Sequence, residues 1–494
     1  MACASTMRTT PISVRPERRD LLRQGAAALA AAGLLRAQMQ VEVQAQAPLG
    51  VVRMPALSPR VRVLRNGLQV VVLQDERVAG RAGAGTAAVQ VWYRVGSKDD
   101  PPGRSGFAHL FEHLMFKRTR HLADEAFDRL TEDVGGENNA FTTEDATVFL
   151  NAVPANHVER LLWAEAERMA QLQVSEPQLR SERAVVESEY RQKVLVDPYG
   201  RLFHGMAPVF WQVHPYRHPV IGRVDELNAA SLDDVRRFHA TYYRPDNATL
   251  IVTGDIDPVR VDAWVDRHFG PLVSPGAPVP RVTVREPRRD HDQQVTLAAR
   301  QVPAPAVALL WQAPGAAHAD AAALRVAAAL LGDGDSSRLS AGLVERTQRA
   351  QSAGFGADLH VDAGMLSAWA IAAGPSVVGL DARHDPRLPL LEAALLRTVH
   401  RLAHGPIPIS ELDKVRTQLL TEALVARQTA EGRGLAVGWA VVRRQDARAA
   451  DVELAQLQAV RAEDVQQVLR AYVLDTHRVT LRYVQAPAAP GVFP

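Results

Sequence analysis

Two histidines and a glutamate crowded into one short segment carry the strongest chemical signal in the chain. His109, Glu112 and His113 stand in the order H-x-x-E-H within Ser105-Gly106-Phe107-Ala108-His109-Leu110-Phe111-Glu112-His113-Leu114. On a helix of 3.6 residues per turn, positions i and i+4 share a face, so both imidazoles project to one side. Nitrogens placed this way can reach one Zn²⁺ at about 2.0–2.1 Å. Glu112 points to the same side, close enough to a water on such an ion to take its proton. The order inverts the commoner H-E-x-x-H. A surface pair of histidines beside a glutamate would look the same, and two histidines do not complete a catalytic site, which takes three protein ligands plus water.

The third ligand cannot be a thiolate from a cluster, because Cys3 is the only cysteine. Any metal site must therefore be built from histidines and carboxylates. Glu182-Arg183-Ala184-Val185-Val186-Glu187-Ser188-Glu189 follows Pro177 with helical spacing, and Glu182 and Glu189 are two turns apart on one face. One of them could bind metal while the other orients a ligand imidazole. Read from the residues alone, an acidic helix is more readily a solvated face. Asn139-Ala140-Phe141-Thr142 follows Gly135-Gly136, where Asn139 by itself reads as a turn residue.

The elements that must position these groups mix strands with helices. Val61 to Leu64, the turn signal Asn66-Gly67 and Leu68 to Leu73 predict a hairpin. Ala87 to Tyr93 and Ala248 to Thr253 predict further strands, while Gly106 to Lys117, 155–173 and 176–196 predict helices. A Pro-rich stretch, Gly270 to Pro287, reads as a linker. Beyond it the pattern returns. Ala306 to Trp311 parallels Ala87 to Trp92, each followed by a glycine four residues on (Gly96, Gly315). Asp234-Val235 with Tyr242 parallels Asp464-Val465 with Tyr472. A duplication accounts for this, each copy an α+β domain with helices packed on a mixed, mostly antiparallel sheet. The expected divisions are 61–270 for the domain bearing H-x-x-E-H, 271–290 for the linker and 291–494 for the repeat. The repeat has Ala328, Leu331 and Gly332 where the motif should be, so it cannot bind zinc in the same way.

Composition excludes several classes. With 494 residues, 47% hydrophobic and 23% charged, the chain has globular proportions and length for two to four domains. No apolar run approaches the roughly 18–20 residues of a spanning helix. A net charge of +2 and no basic stripe with interleaved aromatics argue against nucleic acid as a partner. Only Lys98, Lys117, Lys193 and Lys414 are lysine among 57 basic residues; the other 53 are arginine. Residues 1–47 read as an export signal. Arg18-Arg19 precede the short apolar stretch Gly25 to Leu35 and an A-x-A site at Ala45-Gln46-Ala47, and the paired arginines resemble a twin-arginine signal. The expected destination is the periplasm, with 48–60 as a linker.

Over roughly residues 60–485 the chain resembles the pitrilysin (insulinase) family of zinc peptidases, which includes insulin-degrading enzyme, the mitochondrial processing peptidase and bacterial two-chain relatives. The E-R-x-V-V-x-x-E run at Glu182–Glu189 and the N-A-F-T segment at Asn139–Thr142 carry the likeness beside H-x-x-E-H. The resemblance implies one Zn²⁺ per chain on His109, His113 and Glu189, which lies 80 positions after His109, with Glu182 as the supporting glutamate. It implies Glu112 as the catalytic group. Asn139, Ala140 and Phe141 become an edge strand that pairs with an extended, small or unfolded polypeptide. It also implies two domains forming half of a clamshell. The family's Arg–Tyr pair is missing: the matching positions are Val344 and Gln351, and neighbouring Arg346 and Arg349 have no tyrosine partner. A partner chain supplying that pair, or a second copy of this one, is therefore expected. The alternative is a weak or silent scaffold subunit. His214-Pro215-Tyr216 and His218-Pro219 match a family segment before Gly222, where a structural role is expected.

Overall fold

The continuous apolar run Val70-Val71-Val72-Leu73 has no polar alternation, as a strand covered on both faces requires. A computed structural model, which describes residues 55–75, 85–376 and 384–486, bears this out. The predicted export signal lies outside the described residues, as does the start of the linker that follows it.

Two mixed sheets organise the chain. The first contains β1 (Arg60–Val63), β2 (Gln69–Gln74), β3 (Thr86–Tyr93), β4 (Glu137–Thr142), β5 (Thr147–Pro154) and β6 (Ala248–Gly254), in the spatial order β1-β2-β6-β3-β5-β4. The second contains β7 (Gln293–Ala299), β8 (Ala306–Ala313), β9 (Ala350–Leu359), β10 (Gly364–Ala372) and β11 (Arg478–Gln485), in the order β7-β11-β8-β10-β9. Without β1 the two orders are the same. In each sheet one pair is parallel (β2 with β6, β7 with β11) and the remaining pairs are antiparallel. The fold is α+β and internally repeated.

The repeated glycines have a physical reason. A Cβ on Gly96 would stand 2.4 Å from the Glu144 backbone, and one on Gly315 would stand 2.5 Å from Val361 O. Gly96 follows β3 and lies beneath the β4–β5 hairpin, and Gly315 follows β8 and lies beneath the β9–β10 hairpin.

Each sheet has one face on helices of its own half. Val70, Val72, Val89, Val91 and Val252 pack under Phe107, Phe111, Leu161, Val186 and Phe238. The other face is covered reciprocally. The helix Gly200–Phe210 of the first half lays Leu202, Met206 and Phe210 on Ala308, Leu310, Leu481 and Tyr483 of the second sheet. The helix Ala430–Arg444 of the second half lays Val437, Val441 and Val442 on Val71, Trp92, Val148 and Ile251 of the first. Because each half supplies cover for the other, the described residues cluster as one compact unit. Truncating any one of these buried leucines to alanine costs about 2–5 kcal/mol. Residues 271–292 carry neither helix nor strand and run between the halves.

Candidate metal centre and substrate cleft

The helix Phe107–Leu114 turns Phe107, Ala108, Leu110, Phe111 and Leu114 into the core, while His109, itself buried, shares the opposite side with the half-buried Glu112 and His113. Its start is clamped by a buried carboxylate. Asp100 Oδ2 accepts from Gly106 N at 2.7 Å and Oδ1 from Ala108 N at 2.8 Å, placing an acceptor at the orphan N–H groups of the first turn. Burial holds the Asp100 carboxyl well above the usual range.

The long helix Glu176–Tyr190 begins with a capping box, Ser175 with Gln178, and widens into a π-helical turn over Arg191–Val196. It crosses the first helix so that both predicted glutamates face the histidines, and the solvated-face reading of Glu182–Glu189 gives way. Glu189 Oε2 stands 3.5 Å from His109 Nε2 and 3.7 Å from His113 Nε2. Donors bonded to a tetrahedral ion at about 2.0–2.1 Å stand roughly 3.4 Å apart, so these separations suit one shared zinc. Among the described residues, His109, His113 and Glu189 form the one group of three or more His, Cys, Asp or Glu whose donor atoms lie close enough, within 4.8 Å of one another, to hold an ion. Glu182 Oε2 lies 3.5 Å from His113 Nδ1, on the far side of the ring, and its Oε1 is 2.8 Å from Lys117 Nζ.

The electrostatics favour a cation. Burial lowers the pKa of His109 to about 4, against the pull of Glu189, which keeps the ring neutral as a metal-ligating imidazole must be. Around His113 the effect of burial is overcome by Glu182 and Glu189, which raise its pKa to about 9, so positive charge is welcomed where Nε2 points. Burial alone would raise Glu189, yet His113, His109 and Lys193 draw it down to about 2. A buried neutral imidazole, a second imidazole that would give up its proton to the ion, and an ionised carboxylate form a donor set that fits zinc.

Glu112 sits beside this group. Burial pushes its pKa up, opposed by the hydroxyl of Thr142, which donates to Oε2 at 2.8 Å. Thr142 ends β4, and β4 is the outer strand of its sheet, paired with β5 from Glu137↔Ala152 to Thr142↔Thr147 and with no strand on its other side among the described residues. Asn139 is exposed, and its Oδ1 accepts from Ala140 N at 2.8 Å. Phe141 stacks on Trp439, a residue of the second half, with ring centroids 5.9 Å apart. His109, Glu112, Glu189, Ala140, Phe141 and Thr142 line one cleft of about 550 Å³, together with Lys193, Val194, Phe203, His204, Val220 and Ile221.

The remaining predicted positions lie elsewhere. None of Val344, Arg346, Arg349 and Gln351 lines that cleft. Val344 packs on the second core, and Gln351 Nε2 donates to Tyr199 OH at 3.0 Å. At the repeat positions, Leu331 is buried and a side chain on Gly332 would meet Phe355 N at 2.1 Å, so β9 fills the space that donors occupy in the first half. His214 is buried, its Nδ1 accepting from Tyr216 N, and Tyr216 OH donates to Asp145. Thr142, Lys117 and Lys193 escaped the sequence reading. The two lysines stood four residues after His113 and Glu189, a spacing that signals a shared helix face.

Comparison with known proteins follows the same lines. Residues 78–208 match the family model described as insulinase (peptidase family M16), and residues 229–419 match the one described as the peptidase M16 inactive domain. The chain is 30% identical over 354 residues to zinc protease PqqE of Helicobacter pylori, covering 72% of this chain and 76% of that one. It is 24% identical over 425 residues to a probable mitochondrial-processing peptidase subunit beta of Arabidopsis thaliana, covering 84% and 76%. The crystal structure of a protease from Helicobacter pylori superposes with a TM-score of 0.80 at 27% identity, over 87% of this chain and all of that one. The chain belongs to the insulinase family of peptidases, peptidase family M16.

Proposed function

We propose that this chain is a zinc-dependent endopeptidase that hydrolyses small or unfolded polypeptides held as an added strand on β4. The observation that carries the reading is the meeting of His109, His113 and Glu189 around one point, with Glu112 beside them at a cleft walled by a free sheet edge. A zinc ion held there would polarise the scissile carbonyl and acidify the attacking water. Glu112, beside that position, would serve as the general base towards an attacking water and the general acid towards the leaving amine, a contribution of about 10²- to 10⁴-fold. Thr142 holds one Glu112 oxygen, leaving the other to exchange the proton. Main-chain pairing to β4 fixes an extended peptide whatever its side chains, so sequence preference is broad. Glu182 orients His113 through Nδ1.

The cleft lining contains neither Arg nor Tyr. This supports an incomplete oxyanion side, and we assign the chain as the zinc-bearing subunit of a heterodimer, one half of a clamshell, whose partner supplies the Arg–Tyr pair. The basic and apolar character of residues 1–47 supports export to the periplasm. The test is metal content and activity together. The purified chain should carry one zinc, and an unstructured peptide should be cleaved in the presence of the partner chain. Glu112→Gln should keep the metal and lose activity by at least about 10²-fold. Full activity after complete removal of metal, or in Glu112→Gln, refutes the peptidase reading; full activity of the lone chain refutes the heterodimer.

A further inference from the structure

Lysine is rare in this chain: four residues against 53 arginines. Two of the four nevertheless stand on the two glutamates at the metal-ligand group. Lys117 Nζ is 2.8 Å from Glu182 Oε1, and Lys193 Nζ is 2.6 Å from Glu189 Oε1. In both cases the ammonium takes the outer oxygen while Oε2 faces an imidazole. Lys193 is placed for this by the π-helical turn Arg191–Val196 that continues the glutamate helix, and it lines the cleft with His109 and Glu112.

The choice of cation has a chemical consequence. An ammonium is a compact point charge that one carboxylate oxygen satisfies, whereas a guanidinium fork grips both oxygens at once. We propose that Lys193 is a positioning residue that reserves Glu189 Oε1 and so makes Glu189 a one-oxygen ligand, a task for which arginine cannot substitute. The inference rests on reading His109, His113 and Glu189 as the zinc site. An ordinary surface pair between residues four apart on a helix would tolerate arginine, and Lys193, with its side chain 66% exposed, has room for it.

The full-length protein loaded with Co²⁺ in place of zinc supplies the test, because the visible spectrum reports coordination number and chelator competition reports affinity. Wild type should bind one Co²⁺ with the intense bands of four-coordinate cobalt. In Lys193→Met, Glu189 is free to chelate through both oxygens, and the bands should weaken as the coordination number rises. In Lys193→Arg, the fork competes for both oxygens, and affinity for Co²⁺ and Zn²⁺ should fall about 10- to 100-fold. Both metal-free variants should melt with the wild type, which separates the effect from misfolding. Arginine at 193 binding metal as tightly as lysine, or an unchanged spectrum in Lys193→Met, overturns the proposal and leaves the zinc site standing. Failure of wild type itself to take up Co²⁺ or Zn²⁺ overturns the site reading, and this inference with it.

Discussion

Replacing Trp439 by alanine asks whether the second half of the chain braces the strand on which substrate is proposed to pair. Trp439 lies on the helix Ala430–Arg444, its ring stacked on Phe141 of β4 at 5.9 Å and set edge-on to Trp92 of β3 at 5.3 Å. The Arg443 guanidinium lies over it at 4.8 Å. A fully buried Trp→Ala change costs about 3–5 kcal/mol, and the partial exposure of this ring reduces the expected loss to about 2–3 kcal/mol. The share borne by the Phe141 contact is about 1 kcal/mol, the worth of one aromatic pair. If that contact sets the position of β4, removing it should weaken binding of an extended peptide roughly fivefold, since about 1.4 kcal/mol corresponds to a factor of ten. Urea denaturation measures the first quantity. Fluorescence anisotropy of a labelled unstructured peptide, with Glu112→Gln in both proteins to prevent turnover, measures the second. A full loss of stability with unchanged peptide affinity would refute the reasoning, because it would mean that β4 holds its place without the ring behind it.

Two further outcomes are expected. Glu182→Gln removes the carboxylate 3.5 Å from His113 Nδ1, and zinc affinity by chelator competition should fall about 10- to 100-fold while the metal-free fold persists. Asp99 supplies a pH dependence of known sign. Burial raises its pKa to about 6, opposed by its hydrogen bond from Gly96 N, against about 3.9 unfolded. The folded chain therefore holds this proton more tightly, and the stability it contributes is present below pH 4 and lost as pH rises through 6. Asp99→Asn should abolish that slope, worth up to about 3 kcal/mol between pH 4 and 7, and denaturant midpoints across that range check it.

The duplication and the first two candidate ligands were legible because local spacing fixes them. His109 and His113 need only a helical turn to meet, and the paired Trp and Gly positions of the two halves need only a shared strand plan. Glu189 was a different matter. Its position on a helix face could be read, but which surface that face meets depends on a crossing of two helices far apart in sequence, and periodicity is silent on crossings. The family likeness supplied that step. The exchange of cover between halves had no local signal either. Leu202, Met206 and Phe210 form an apolar stripe that fits any sheet, and only the assembled chain shows that it lies on the second sheet rather than the first. Thr142 was visible within N-A-F-T, yet its bond to Glu112 arises from the register of β4 on β5.

One chain order thus supports two unlike halves, and the reason lies in how closely the last strand approaches the first helix. In the first half the helix Phe107–Leu114 stands off far enough from β4 for His109, Glu112 and Thr142 to share a cleft with the strand. In the second, Gly332 ends the helix Ala321–Gly332 directly against the Phe355 backbone of β9, where any Cβ would collide. Restoring histidine at that position therefore could not restore a site without moving β9, and moving β9 would disturb its pairing with β10 from Leu359↔Gly364 onward. The second half has exchanged room for donors for a closed core, and its helix Ala430–Arg444 instead serves the first half's sheet, with Trp439 against the strand beside Glu112. The proposed chemistry in one half and support from the other follow from the same duplicated plan.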